Sequence, residues 1–201
     1  MYHNPFLCII MFIYSYKRNI KKKEMNTYLE TKYSIEEKFT KAINERDMRF
    51  YLLCLLALET GARVSDLLRL SWFDIDFDTE QVIYLNKKSK KKQFQKVSLG
   101  MIDKISRYKD TINSVGVFNQ SIFYNSYKDS VLSRVTANRR TQKEFGINFH
   151  QLRKEAGKNI ANQKGVVMAS KYLGHSRTST TDIYLGISDN EYTKQMKDTI
   201  I

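Results

Sequence analysis

The stretch from Arg46 to Gly61 limits the fold more than any other part of this sequence. Phe50, Leu53, Cys54, Ala57 and Leu58 recur there at helical spacing, and Gly61 breaks the helix. Helix resumes from Val64 to Leu70, with Leu67, Leu68 and Leu70 as core positions. Upstream, Ser34 followed by Glu36 and Glu37 predicts a helix start, with Ser34 as N-cap and a run to about Asn44.

Further helices are expected over Gly100 to Asp110, Asp129 to Phe145, Phe149 to Asn162, Val167 to Leu173, Thr178 to Leu185 and Asn190 to Ile200. Gln81 to Leu85 is rich in Val, Ile and Tyr and predicts a strand. Phe94 to Leu99 is its expected partner, across a lysine-rich hairpin turn. Trp72 to Asp78 is a connector, and the pattern over Val115 to Phe123 fits no one element. The predicted fold is mainly α with a small antiparallel β-sheet. The single proline, Pro5, lies outside that core.

Charge narrows the partners. Lysine and arginine number 34 against 21 acids, a formal net charge of +13. Such a balance favours a polyanion, because each neutralised phosphate releases bound counterions. A merely soluble basic protein satisfies the same count. At 201 residues the chain buries a core without disulfide or metal staples. Cys8 and Cys54 form no CxxC pair, and three histidines are too scattered for a zinc site, so a reduced intracellular compartment is expected. The apolar run Phe6 to Tyr14 is too short to span a bilayer and has its basic cluster on the wrong side for a signal peptide. Residues 1–33 are taken as a poorly defined N-terminal appendage and 34–201 as the functional domain.

Three separated segments carry chemistry. They are Thr60-Gly61-Ala62-Arg63-Val64-Ser65-Asp66-Leu67-Leu68, His150-Gln151-Leu152-Arg153, and Leu173-Gly174-His175 with Tyr184 nine residues after the histidine. A lone HxxR pair occurs by chance in most basic proteins; three ordered segments together are specific. Transfer of a phosphodiester to a phenol needs charge neutralisation on the phosphate oxygens. Arg63 and Arg153 suit that, since a guanidinium is a rigid, permanently charged fork of donors. His150 and Arg153, at i and i+3, share a helix face. A phenol of ordinary pKa about 10 needs nearby positive charge or a base to attack. Each of these residues taken singly also fits a surface charge or a packed side chain.

The three segments resemble signatures of the tyrosine recombinase (phage integrase) family: a TGxRxSE/D-L segment, an HxxR box, and an LGH segment ahead of a nucleophilic tyrosine. The resemblance covers roughly Ser34 to Tyr192. It implies the fold of that family's catalytic domain. It also implies site-specific DNA strand breakage and rejoining through a 3′-phosphotyrosyl link to Tyr184. Arg63, His150, Arg153 and His175 would hold the phosphate, and Asp66 would help orient the active-site arginine. A lysine on the hairpin turn would protonate the leaving 5′ oxygen; Lys88 is chosen, with Lys90 next and Lys87 third. Tyr172 has the wrong position and is assigned to packing. Lys87, Lys90, Lys91, Arg139 and Arg140 are expected DNA contacts, with Arg134 and Lys143 of the same generic kind.

No metal or cofactor is expected, as nothing resembles a P-loop or a carboxylate metal cluster. Double-stranded DNA is the expected partner, with a homo-tetramer assembled on it, no membrane, and a cytoplasmic, DNA-associated location. Relatives carry an N-terminal helical clamp, whereas about 33 residues precede Ser34 here. The chain is therefore expected to be a minimal enzyme or a truncated product. A non-catalytic DNA-binding regulator, a relaxing topoisomerase and a membrane-associated protein are the competing readings.

Overall fold

The computed structural model describes residues 27–86, 90–117, 119–126, 128–175 and 180–181. The first helix, α1 (Thr27–Lys41), starts seven residues before Ser34, which sits exposed in its middle. The capping signal at Ser34 is overridden by packing. Tyr28, Ile35 and Phe39 form one apolar stripe, and burying Tyr28 draws the helix back to Thr27.

Helix α2 (Glu45–Thr60) is the centre of the molecule. Its N-cap Asn44 accepts from the Asp47 N–H at 2.9 Å. Leu52 through Leu58 are all at most 1% exposed, so this helix is covered on every side. Cys54 is among them, and burial pushes its thiol pKa far up, as a small inert hydrophobe requires. Gly61 ends α2 in the left-handed region at φ 60°, its N–H bonding to Ala57 O. A Cβ there would lie 2.5 Å from the ring of Tyr172. Both the backbone angle and the contact therefore demand glycine. The chain then makes the short helix α3 (Val64–Leu67) and a 3₁₀ turn, Trp72–Asp74.

Three antiparallel strands follow in the order β1 (Ile75–Asp76), β2 (Gln81–Asn86), β3 (Lys91–Lys96). Pairing runs from Gln81 with Lys96 to Asn86 with Lys91. The second strand of the hairpin is thus earlier than the expected Phe94 to Leu99. Ser98 explains the shift: its hydroxyl caps the Met101 N–H at 3.2 Å, so Leu99 begins helix α4 (Leu99–Ser114). Along β2, Val82, Tyr84 and Asn86 face inward and are buried.

Met101, Ile105, Tyr108 and Ile112 form the buried face of α4. The Tyr108 hydroxyl donates to Ile122 O at 3.1 Å and fixes the undecided loop. A small hairpin, β4 (Tyr124–Asn125) with β5 (Ser130–Val131), occupies the start of the helix expected from Asp129. That helix, α5 (Arg134–Phe145), begins only where Ser133 caps the Thr136 N–H. Helix α6 (Phe149–Lys164) opens on a capping box between Asn148 and Gln151. Helix α7 (Val166–Leu173) ends at Gly174, again left-handed at φ 64°. Thr180 and Thr181 are helical; the remainder of the two helices expected after Gly174 lies outside the described residues. Helices α1, α4 and α6 pack on α2, and α7 packs on α6. This arrangement brings Gly61, Arg153 and Leu173 together. Among the described residues no helix is long and apolar enough to cross a membrane.

Candidate active site

Arg153 projects from α6 and is 5% exposed. Its Nη1 donates to Gly61 O, and its Nη2 donates to Leu173 O at 2.7 Å. Those carbonyls belong to the C-terminal ends of α2 and α7, where the partial charge is negative. Two helix ends thus fix one guanidinium, which joins all three sequence segments.

Arg63 is the N-cap of α3, immediately after the glycine turn, and is half-buried. Its Nη1 donates to Oδ1 of Asn86 at 3.1 Å. Asn86 is 2% exposed and ends β2 just before the lysine-rich turn. A Cβ on Gly174 would come 3.1 Å from Asn86 Nδ2. This asparagine therefore lies between the arginine turn, the hairpin and the Gly-His turn. Sequence reasoning passed over it. The available signal was its place in the inward series Val82, Tyr84, Asn86, where a polar residue needs a partner.

Arg63, His150 and Arg153 line one open cleft of about 570 Å³. Ser65, Arg134, Asn138 and Asn148 complete its polar lining, and no carboxylate is among the described residues that line it. The exposed His150 stands at the start of α6, one turn from Arg153. A cleft with cationic and neutral donors and no acid suits a dianionic or diester oxygen cluster.

His175 follows Gly174 and lies against Arg153, with Nε2 at 3.4 Å from Nη2. Its Nδ1 is 2.8 Å from Oγ1 of Thr181. Asp66 is buried, and its Oδ1 accepts from Arg69 at 2.9 Å. Arg69 also donates to Leu85 O, which ties the turn after α3 to β2.

Buried Tyr84 and half-buried Tyr172 adjoin these groups. Burial pushes the Tyr84 phenol pKa up, against the pull of Arg153, a hydrogen bond with Gln95 and Arg63. Tyr172 is pushed well up, first by desolvation and then by the neighbouring phenols of Tyr28 and Tyr84 and the Glu59 carboxylate, and its hydroxyl donates to Glu59 O at 2.5 Å. Both are held as neutral phenols, which fits the packing role expected for Tyr172.

The other basic residues divide. Lys90, Lys91 and Arg139 are exposed. Arg140, also expected as a DNA contact, is half-buried and paired within the chain. It donates to Asp47 at 2.5 Å and Glu144 at 2.6 Å, and its guanidinium lies 4.1 Å from the Phe50 ring centroid. Its Nε and Nη2 are engaged within its own chain. Lys87, Lys88 and Tyr184 lie outside the described residues. Among the described residues no cluster of three or more His, Cys, Asp or Glu side chains could hold a metal ion.

Comparison with known proteins gives concordant matches. The model of the phage integrase family matches residues 20–191. Tyrosine recombinase XerC of Pediococcus pentosaceus (strain ATCC 25745 / CCUG 21536 / LMG 10740 / 183-1w) is 27% identical over 188 residues, 83% of this chain and 57% of that protein. The crystal structure of XerA recombinase superposes with a TM-score of 0.68 at 20% identity, covering 86% of this chain and 64% of that one. XerH site-specific recombinase bound to a palindromic difH substrate, in a post-cleavage complex, gives 0.66 at 18% identity, over 83% and 51% of the two chains. The chain thus spans between half and two-thirds of the length of these relatives.

Proposed function

This chain belongs to the phage integrase family, and from that premise we propose that it is a site-specific tyrosine recombinase that cleaves and rejoins DNA. One observation carries the reading: Arg63, His150 and Arg153, from two distant segments, line a single cleft free of carboxylates among its described lining residues. Two guanidinium groups there neutralise the charge that builds on a phosphate in the transition state. His175, against Arg153, contributes from the third segment. Tyr184 attacks the phosphorus, and the 5′ oxygen departs with a proton from the hairpin lysine, Lys88. A 3′-phosphotyrosyl enzyme results. Attack by a 5′ hydroxyl of a partner strand reverses the step, and the energy held in the phosphotyrosine bond makes ATP unnecessary.

Double-stranded DNA is the substrate, held at backbone phosphates by exposed Lys90, Lys91 and Arg139, and by Lys87. Arg140 is left out of this set, because its donors serve Asp47 and Glu144. Exchange between four strands calls for a homo-tetramer on DNA, in the cytoplasm where the chromosome lies. The test is incubation with nicked duplexes drawn from DNA flanking its own gene, in which the cleaved end diffuses away. A denaturation-resistant protein–DNA band is expected, lost in Arg63→Ala and Arg153→Ala. DNA retention without any such band would leave a DNA-binding regulator instead.

A further inference from the structure

Thr181 is fully buried, and its Oγ1 is 2.8 Å from Nδ1 of His175. The opposite ring nitrogen, Nε2, faces Nη2 of Arg153 at 3.4 Å. A guanidinium carries only donors and keeps its charge at any pH a protein survives. In that contact Nε2 must accept. A ring with Nε2 as acceptor is neutral and carries its proton on Nδ1. Thr181 Oγ1 is then the acceptor for that proton. An imidazolium would set an N–H against the N–H of Arg153 and bring two like charges together.

We infer that Thr181 is a positioning residue that supplies the acceptor for the His175 tautomer selected by Arg153. It holds the proton on Nδ1 and leaves Nε2 directed at Arg153. The bond from Nδ1–H to Thr181 is the same whether the ring is neutral or protonated. An arriving phosphate beside Arg153 favours the protonated ring. Nε2 then changes from acceptor to donor without rotation of the imidazole. A donor to the phosphate is thereby made ready in advance, and its geometry is set by a side chain that touches neither DNA nor the reacting atoms. The catalytic consequence rests on the function proposed above; the tautomer does not.

The threonine could fill space only, and isosteric replacement separates the two roles. Thr181→Val keeps the shape and removes the acceptor, whereas Thr181→Ser restores the hydroxyl. The full chain is labelled with ¹⁵N in its histidines, and the His175 signals are assigned by their loss in His175→Gln. The free protein should show a neutral ring protonated on Nδ1, and Thr181→Val should move proton density toward Nε2. Single-turnover adduct formation should fall about tenfold in Thr181→Val, the scale of one lost hydrogen bond, with DNA affinity unchanged and Thr181→Ser near wild type. A proton on Nε2 in the free wild-type chain overturns the proposal, whatever the variants do. So does a Thr181→Ser enzyme as slow as Thr181→Val. If wild type makes no adduct but the tautomer behaves as stated, the positioning stands and the recombinase reading fails.

Discussion

Arg153 donates to the carbonyl oxygen of Gly61, ninety-two residues earlier and two residues before Arg63. One buried cation thus holds the turn from which the other projects. Removing it leaves helix-end carbonyls of α2 and α7 without a positive partner in the interior. Arg153→Ala should lose about 3 kcal/mol of unfolding free energy, the scale for breaking a buried charged contact. Urea denaturation measures this, and a loss below about 1 kcal/mol would mean the guanidinium is not structural.

Gly61→Ala should be destabilising out of proportion to one methyl group. The position has φ 60°, and the new Cβ would meet the Tyr172 ring at 2.5 Å. That ring is pinned by its hydroxyl on Glu59 O, so it cannot swing aside. A loss of roughly 2–3 kcal/mol is expected from strain and overpacking together. The midpoint in urea should fall with the slope unchanged.

Asn86→Leu should leave the fold standing and slow chemistry. Its Oδ1 takes a hydrogen bond from Arg63, and a bond to a charged group is worth about 1.5–3 kcal/mol. A fall of at least about tenfold in the rate of adduct formation follows, with the smaller change in DNA affinity. Equal losses in both would place Asn86 in binding rather than in arranging Arg63.

Acid should weaken the protein partly through Arg140. Burial alone would raise the Glu144 carboxyl, yet hydrogen bonds from Arg140 and Tyr51 outweigh it and hold the pKa below the usual range. Asp47 is likewise lowered, by Asn44 and Arg140 against the effect of burial. Both groups have lower folded than unfolded pKa values. Their stabilisation is therefore present above the ordinary carboxylate range, about 4, and is lost as pH falls through the folded values. Arg140→Gln should show a shallower loss of stability than wild type between about pH 5 and 3. Parallel curves would assign the acid response to other carboxylates.

What the sequence disclosed was what local order encodes. Arg63, His150, Arg153 and His175 sit in compact motifs, and their residue types suit a phosphate before any fold is drawn. Helix α2 was plain from its apolar spacing. Ser34 misled because a capping pattern is local, whereas the burial of Tyr28 beside Ile35 and Phe39 is not. The strand Lys91–Lys96 has little strand propensity of its own and forms by pairing with Gln81–Asn86. Asn86 and Thr181 act through partners brought near only by the fold: register places one beside Arg63, and the other lies beside His175. Arg140 counted as a free charge in the sequence and is a tied one in space.

The amino acid that carries the DNA decides most directly whether Tyr184 is the nucleophile. The protein is incubated with nicked duplex, digested, and the nucleotide-bearing peptide sequenced by mass spectrometry. The expected attachment is a phosphodiester on Tyr184, absent in Tyr184→Phe. A nucleotide on any other side chain, or one that persists in Tyr184→Phe, would contradict it.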